Sequence, residues 1–116
     1  MDIQKDLVAA SATPIVLSLL RQGDSYGYAI IRKVREVSGE RIAWTDGMLY
    51  PVLHRLEAGG FVKSTWKTAE SGRRRKYYRI TPEGETELKR LKEQWDVVHG
   101  ALQHLAEPGE TGENDV

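Results

Sequence analysis

Apolar residues recur at the spacing of amphipathic helices in three segments of the first half of the chain. The first segment covers residues 4–21 and contains Pro14, which leaves two alternatives. Either one helix bends at the proline, or a new helix begins there with Thr13 as its N-cap. The second helix is predicted to begin near Ser25, because serine is a favourable N-cap residue.

A third helix is predicted after Trp44, with Thr45 or Asp46 as its N-cap and Gly59-Gly60 at its end. On a helical wheel its apolar residues form one stripe, which comprises Met48, Leu49, Val52, Leu53 and Leu56. The opposite face comprises Gly47, Tyr50, Pro51, His54 and Ala58. A helix that meets only water usually carries charged residues on its outer face. We therefore expect this outer face to contact a partner.

Residues 61–67 and 73–80 are rich in β-branched and aromatic residues and flank a turn-like segment at residues 68–72. This pattern predicts a β-hairpin. Three of its side chains are predicted to anchor it to the core, namely Trp66, Tyr78 and Ile80. Four cations are predicted to lie at or beside the hairpin tip, namely Arg73, Arg74, Arg75 and Lys76.

The final helix is predicted to begin with Thr81 as its N-cap and Pro82 at its first position, and to run to about residue 105. Its apolar residues follow alternating steps of three and four, the pattern of a coiled-coil seam, and comprise Leu88, Leu91, Trp95, Val98, Leu102 and Leu105. About 24 residues make a helix roughly 36 Å long, which a small domain does not cover. We therefore expect a homodimer that buries this seam. The alternative is a helix that folds back onto its own domain.

The order of three helices, a hairpin and a long helix predicts a mostly α-helical protein with a small β-hairpin. This is the arrangement of a winged helix-turn-helix followed by a C-terminal dimerisation helix. Residues 1–80 are predicted to form the helix-turn-helix domain, residues 81–106 the dimerisation helix and residues 107–116 a disordered tail. The tail carries four acidic residues and no basic residue.

Charge is distributed unevenly, although the formal net charge of the 116 residues is zero. Residues 61–80 carry seven basic side chains against one acidic side chain, which is a net charge of +6. Such a local field attracts phosphates even when the whole chain is neutral. A basic loop that meets only solvent is the alternative.

The composition argues against several other classes of protein. Without cysteine, the chain has no disulfide, thiolate metal site or cysteine nucleophile. The three histidines lack metal-ligand spacing, and no nucleophile motif or Gly-rich phosphate loop is present. We therefore expect no enzyme activity, no catalytic or metal site and no cofactor. The opening residues do not form a signal peptide and the most apolar stretch, residues 15–20, is too short to span a bilayer, so we expect a cytoplasmic protein.

Double-stranded DNA is the partner that these features favour. The third helix is predicted to enter the major groove, where Tyr50 and His54, one turn apart, face the bases. The hairpin tip is predicted to reach the neighbouring backbone, where arginines gain from counterion release. The predicted DNA contacts are Thr45, Gly47, Tyr50, Pro51, His54, Arg73, Arg74, Arg75 and Lys76. The alternatives are a non-specific architectural DNA-binding protein and a winged-helix module that binds protein.

Three motifs resemble those of a known family: Tyr26-Gly27-Tyr28, the run WTDGMLYPVLHRLE at residues 44–57, and the run SGRRRKYYRIT at residues 71–81. In this order and spacing they closely resemble the PadR family of bacterial regulators, and the similarity covers about residues 4–105. The resemblance implies a homodimer with the first and last helices at the interface, and repression of nearby genes.

PadR-like proteins with one short C-terminal helix include regulators of multidrug efflux. In those proteins a tryptophan on the last helix lines a flat pore between the subunits and stacks on planar drugs, and Trp95 falls at that position. Lys92 and His99 stand where the drug-binding proteins carry an aromatic residue and an acid. The resemblance therefore implies an effector site at Trp95, Lys92, Asp96 and His99 that favours an anionic or neutral planar aromatic. Two indoles that only fill the interface are the alternative.

Overall fold

The computed structural model describes residues 3–106, which form four helices and three strands. In chain order these are α1 (Lys5–Gln22), β1 (Ser25–Tyr26), α2 (Gly27–Val37), α3 (Asp46–Ala58), β2 (Val62–Thr68), β3 (Arg74–Ile80) and α4 (Pro82–Leu105). This is the mostly helical architecture with a small sheet that the apolar pattern predicts. The predicted tail, residues 107–116, lies outside the described residues.

The first helix, α1, continues through Pro14, so the alternative of a new helix capped by Thr13 is wrong. Proline lacks an N–H group and leaves one carbonyl of the preceding turn without its intrahelical hydrogen bond. Tertiary packing offsets that loss, because α1 contributes a large share of the core. Its buried residues are Ala12, Val16, Leu17 and Leu20.

The start of α2 differs from the prediction. Ser25 is not the N-cap, because it belongs to β1 and lies opposite Tyr78 of β3. Tyr26 lies opposite Tyr77 and occupies the N-cap position of α2 without a side-chain capping hydrogen bond. The backbone ladder therefore replaces the serine cap and holds the start of α2 against the sheet.

The sheet has three antiparallel strands in the order β1-β3-β2, so β1 adds a strand to the predicted hairpin. The hairpin runs from the pair Val62 and Ile80 at its base to the pair Thr68 and Arg74 at its tip. In the turn, Gly72 has a left-handed φ of 88°, which glycine adopts without the steric cost of a Cβ. We call β2, β3 and this turn the wing.

Two of the three predicted anchors hold the wing to the core. Tyr78 is buried and Ile80 packs against the core, whereas Trp66 is 56% exposed, so the prediction for Trp66 is wrong. Val62, Ser64 and Trp66 share one face of β2, because side chains alternate along a strand. Along that face the residues change from buried to half-buried to exposed, since the wing extends past the core.

The start of α4 is built as predicted. The Gly84 N–H donates to Thr81 Oγ1 at 3.0 Å, and Pro82 occupies the start of the helix. The Thr81 hydroxyl donates to the carbonyl oxygen of Gly60 at 2.6 Å and so ties α4 to the loop after α3. Gly84 lies so close to that loop that an added Cβ would meet the carbonyl oxygen of Phe61.

The first half of α4 is packed and the second half is exposed. Leu88 is 2% exposed and belongs to the core of its own chain, and Leu91 packs against that core. Leu88 therefore offers no surface to a second copy, and its assignment to a dimer interface is wrong. In the second half, the exposed large apolar residues are Val97, Val98, Leu102 and Leu105.

Candidate nucleic-acid interface

The recognition-helix candidate α3 buries one face and exposes the other. Its buried residues are Leu49, Leu53 and Leu56, whereas Met48, predicted to share their stripe, is 44% exposed. The residues predicted to face DNA are all exposed, namely Thr45, Gly47, Tyr50, Pro51 and His54. The outer face therefore offers small, aromatic and imidazole groups without a salt bridge among the described residues.

Thr45 is the N-cap residue of α3, which decides between the two predicted alternatives. Its carbonyl accepts hydrogen bonds from the N–H groups of Met48 at 3.1 Å and Leu49 at 3.0 Å. Its hydroxyl makes no capping hydrogen bond to the first turn of the helix. The first N–H groups of a helix without such a cap are open to an external acceptor, and phosphate oxygens are a common one.

Tyr50 is held in place by close contact with the first residue of α2. A Cβ added to Gly27 would meet the Tyr50 hydroxyl oxygen and would lie 2.9 Å from Cζ and 3.4 Å from Cε1. Gly27 is therefore the residue whose small size lets the Tyr50 ring pack there. Tyr50 remains 38% exposed, so part of the ring is available to a partner.

A groove joins α3, the start of α2 and the wing. It has a volume of about 460 Å³ and is lined by Tyr26, Gly27, Tyr28, Tyr50, Trp66, Arg73, Arg74, Arg75 and Lys76. We call it the aromatic–basic groove. It brings Tyr50 and all four predicted cations of the wing tip together on one side of the molecule.

Aromatic rings, rather than acids, hold these cations. The guanidinium carbon of Arg75 lies 4.4 Å from the centre of the Tyr26 ring, and that of Arg74 lies 5.4 Å from the Trp66 ring. The ammonium of Lys76 lies 5.7 Å from the Tyr78 ring. Cation–π contact fixes the direction of a cation and leaves its charge uncompensated. Among the described residues, none of the wing-tip cations forms a salt bridge.

Two other cations of the wing are paired with one acid. Arg79 donates to the Asp24 carboxylate at 3.1 Å, and the Lys67 ammonium lies 3.8 Å from the same carboxylate. The hydrogen bond from Arg79, followed by the charge of Asp24, raises the pKa of Arg79. Asp24 therefore fastens the loop after α1 to both strands of the wing and divides the basic residues into a paired set and an unpaired tip.

The base of the wing is kept neutral where it meets the core. Burial, followed by the charge of Glu57, raises the pKa of Tyr78, so this phenol stays protonated. The Ser64 hydroxyl donates to Glu57 Oε2 at 2.7 Å and satisfies that carboxylate from the neighbouring strand. The wing is thus fixed at its base by neutral and hydrogen-bonded groups, and its charge is carried at the tip.

Three aromatic residues of the groove were not predicted as site residues, namely Tyr26, Tyr28 and Trp66. Tyr28 is 64% exposed, which is unusual for a large ring on an amphipathic helix. The sequence signal that identifies them is the alternation of aromatic and basic residues across the wing and the start of α2. Their contacts join residues far apart in the chain, and the sequence alone does not show such pairs.

The residues of the predicted effector site do not all lie together. Lys92, Trp95 and Asp96 line a mainly apolar groove of about 530 Å³ between α4 and the helices α1 and α2. His99 lies outside the lining of that groove, and its Nε2 is 3.4 Å from Gln103 Nε2. Trp95 is half-buried against this groove. We call it the Trp95 groove.

Two negative findings apply to residues 3–106. No described helix is both long enough and apolar enough to cross a membrane. The described part of the chain also contains no group of three or more His, Cys, Asp or Glu side chains arranged to hold a metal ion.

Three helices followed by a β-wing, with an exposed recognition face beside an unpaired basic tip, define a winged helix-turn-helix protein of the DNA-binding type. The sequence model of the transcriptional regulator PadR-like family matches residues 16–90. The chain belongs to this family, as its motifs predict. Family members act as transcriptional regulators.

Known proteins agree with this assignment. A transcriptional regulator of Mycobacterium tuberculosis is 38% identical over 79 residues, which cover 65% of this chain and 73% of that protein. The solved structure of a transcriptional regulator from Clostridium thermocellum is 36% identical, with a TM-score of 0.79, over 89% of this chain and all of that one. A PadR family regulator from Eggerthella lenta is 34% identical, with a TM-score of 0.75, over 88% and 87% of the two chains.

Proposed function

We propose that this PadR-like regulator is a homodimeric repressor that binds a double-stranded operator and leaves it when a small planar aromatic effector binds. The observation that carries the DNA-binding part is the aromatic–basic groove, in which Tyr50 of α3 and the wing-tip cations line one depression. A recognition helix in the major groove and a wing on the adjacent backbone act side by side, so their contact residues need to share one face of the protein.

Base readout and phosphate binding fall to different residues in this proposal. Gly47, Pro51 and His54 are exposed on α3 and lie where side chains reach base edges in the major groove. Tyr50, held against Gly27, contributes from a fixed position. The proposed phosphate contacts are Thr45, Arg73, Arg74, Arg75 and Lys76.

The proposed dimer forms through the second half of α4 together with α1. Val98, Leu102 and Leu105 are each more than half exposed and follow one stripe of the helix. The stripe continues into the half-buried side chains of Leu91 and Trp95. A second copy of the helix would bury this stripe. A two-fold dimer would then carry two copies of α3, each for one half-site, about 34 Å apart along the DNA.

The proposed effector stacks on the indole of Trp95 in the Trp95 groove. The apolar lining from α1 and α2 favours a planar aromatic body, and offset stacking on an indole adds to its affinity. Lys92 at the edge of the groove favours a neutral or anionic ligand, although Asp96 opposes part of that preference. Release from DNA requires that the ligand bind the DNA-free arrangement more tightly than the DNA-bound one. The alternative is that Trp95 only packs against the partner.

Selection from a pool of random duplexes tests the proposed function. After several rounds, fluorescence anisotropy compares the selected duplex with a scrambled duplex of the same composition at one salt concentration. A sequence-specific repressor is expected to bind the selected duplex roughly 10³-fold or more tightly. Equal affinity would support the architectural alternative. No binding to either duplex would support a winged helix that binds protein.

A further inference from the structure

The strongest unexplained feature outside the DNA-binding face is the indole of Trp44. Trp44 is 5% exposed, and its Nε1 is buried without a hydrogen-bond partner among the described residues. An indole N–H is a donor only, so an acceptor has to come from elsewhere. Buried donors in native proteins are almost always paired, and an unpaired one points to an occupant that belongs to the site.

Trp44 lines a cavity of about 230 Å³ between the first half of α1 and the inner edge of α3. Its walls are otherwise aliphatic, with Val8 and Ala12 on α1 and Val52 on α3 among them. A water molecule occupies about 30 Å³ in the liquid, whereas sites for drug-sized ligands measure about 300–1,000 Å³. The cavity therefore suits a molecule larger than water and smaller than most drugs.

A second hydrogen-bond donor lines the same cavity. Arg55 of α3 donates from Nη2 to Thr13 Oγ1 at 3.2 Å, and no carboxylate of the described residues lies within ion-pair distance of it. A guanidinium carries five N–H groups, so most of its donors remain available. The polar side chains of the lining thus offer donors and one positive charge, and they offer no anionic acceptor.

We propose that this cavity is a second ligand site, distinct from the Trp95 groove, which binds a small carboxylate with an apolar body of about the size of benzoate. The carboxylate accepts hydrogen bonds from Trp44 Nε1 and from the guanidinium of Arg55, and the apolar body packs against the aliphatic walls. A charged acceptor compensates both donors at once, which water achieves less well because it brings no charge.

The position of the cavity connects it to the recognition helix. Trp44 directly precedes Thr45, the N-cap of α3, and Met48, Val52 and Arg55 of α3 line the cavity. A ligand seated between α1 and α3 would favour one arrangement of the two helices and so change the affinity for DNA. This regulatory consequence rests on the proposed function, whereas binding of the carboxylate does not.

Nuclear magnetic resonance of the full chain labelled with ¹⁵N tests the site directly. The indole N–H signals are assigned with the variants Trp44→Phe, Trp66→Phe and Trp95→Leu. Sodium benzoate is then titrated into the unmodified protein, with benzyl alcohol as a control that has the ring and lacks the carboxylate. We expect benzoate to shift the Trp44 signal saturably, without a comparable shift from benzyl alcohol. A Trp44 signal unmoved by benzoate, or moved equally by both compounds, would overturn the proposal.

The role of Arg55 is tested with a matched pair of variants. Arg55→Gln is expected to weaken benzoate binding about tenfold or more, because it removes a charge-assisted contact. Arg41→Gln removes an exposed arginine that does not line the cavity and is expected to leave binding unchanged. Equal effects of the two variants would contradict a role for Arg55. Anisotropy with DNA tests the regulation separately: if benzoate shifts the Trp44 signal and leaves DNA affinity unchanged, the regulatory consequence is wrong and the site stands.

Discussion

Removal of the unpaired charge at the wing tip has a predictable effect on the salt dependence of DNA binding. The perturbation is the triple variant Arg73→Ala, Arg74→Ala and Arg75→Ala. None of these arginines forms a salt bridge among the described residues, so each is free to replace a counterion on a phosphate. Because Arg73 and Arg74 are exposed and Arg75 is half-buried, the substitutions are expected to leave the fold intact.

The magnitude follows from the number of contacts. In a dimer the variant removes at most six arginines, and each phosphate contact contributes about 0.9 to the slope of log K against log salt concentration. If Arg75 stays over Tyr26 in the complex, as its 4.4 Å contact favours, four contacts remain to be lost. The slope is therefore expected to become shallower by about 3.5 to 5.5. Between 50 and 200 mM salt, the larger value corresponds to an affinity change of about 10³-fold.

Fluorescence anisotropy of a labelled duplex at several salt concentrations measures this slope. The matched control replaces Arg21, Lys89 and Arg90 by Ala, which removes the same number of charges from exposed positions on α1 and α4. The control is expected to change the slope by less than one contact. An unaltered slope in the wing variant would refute the reasoning, and so would an equal change in the control, because it would assign the effect to net charge.

Three further predictions concern the remaining parts of the account. Val98→Asp is expected to give a monomer by light scattering, whereas Val97→Asp, an equally charged change off the stripe, is expected to leave a dimer; two dimers would contradict the interface. Gly27→Ala is expected to lower the free energy of unfolding in urea by about 1–3 kcal/mol through overpacking against Tyr50; full stability would show that the contact tolerates a Cβ. Planar aromatics are expected to quench the protein's fluorescence, and Trp95→Leu to abolish that quenching; undiminished quenching would place the ligand elsewhere.

Elements with strong local signals could be predicted from the sequence. The start of α4 is one of them, because the cap at Thr81 and the proline after it act within a single turn. The start of α2 could not be predicted, because Ser25 is taken up by pairing with Tyr78, more than fifty residues away. A local cap preference of about 1 kcal/mol cannot indicate such a distant partner.

Apolar periodicity also has a limit that α4 illustrates. The seam from Leu88 to Leu105 is regular, but a heptad pattern does not show which partner buries each position. Leu88 is buried by its own chain, and the positions from Val98 onward are exposed. In the same way, Trp66 lies on the core-facing side of β2 but beyond the end of the core. Composition and periodicity give the face of a strand and not where the core stops.

The DNA-binding residues divide along the same line. Exposure of the outer face of α3 could be predicted, since it follows from helical geometry alone. The aromatic support of the wing could not, because the contacts of Arg75 with Tyr26 and of Arg74 with Trp66 depend on how the strands are arranged. The roles of these side chains on DNA stay predictions.

Hydroxyl-radical footprinting of the selected operator, together with the stoichiometry of the complex, tests the central claim most directly. The account predicts two chains on each duplex and two protected patches whose centres lie about 10 base pairs apart, related by the two-fold symmetry of the dimer. Replacement of the wing-tip arginines is expected to weaken protection at the outer backbone of both patches. One chain on each duplex with a single protected patch, or uniform protection without a preferred site, would contradict a dimeric repressor that reads two half-sites.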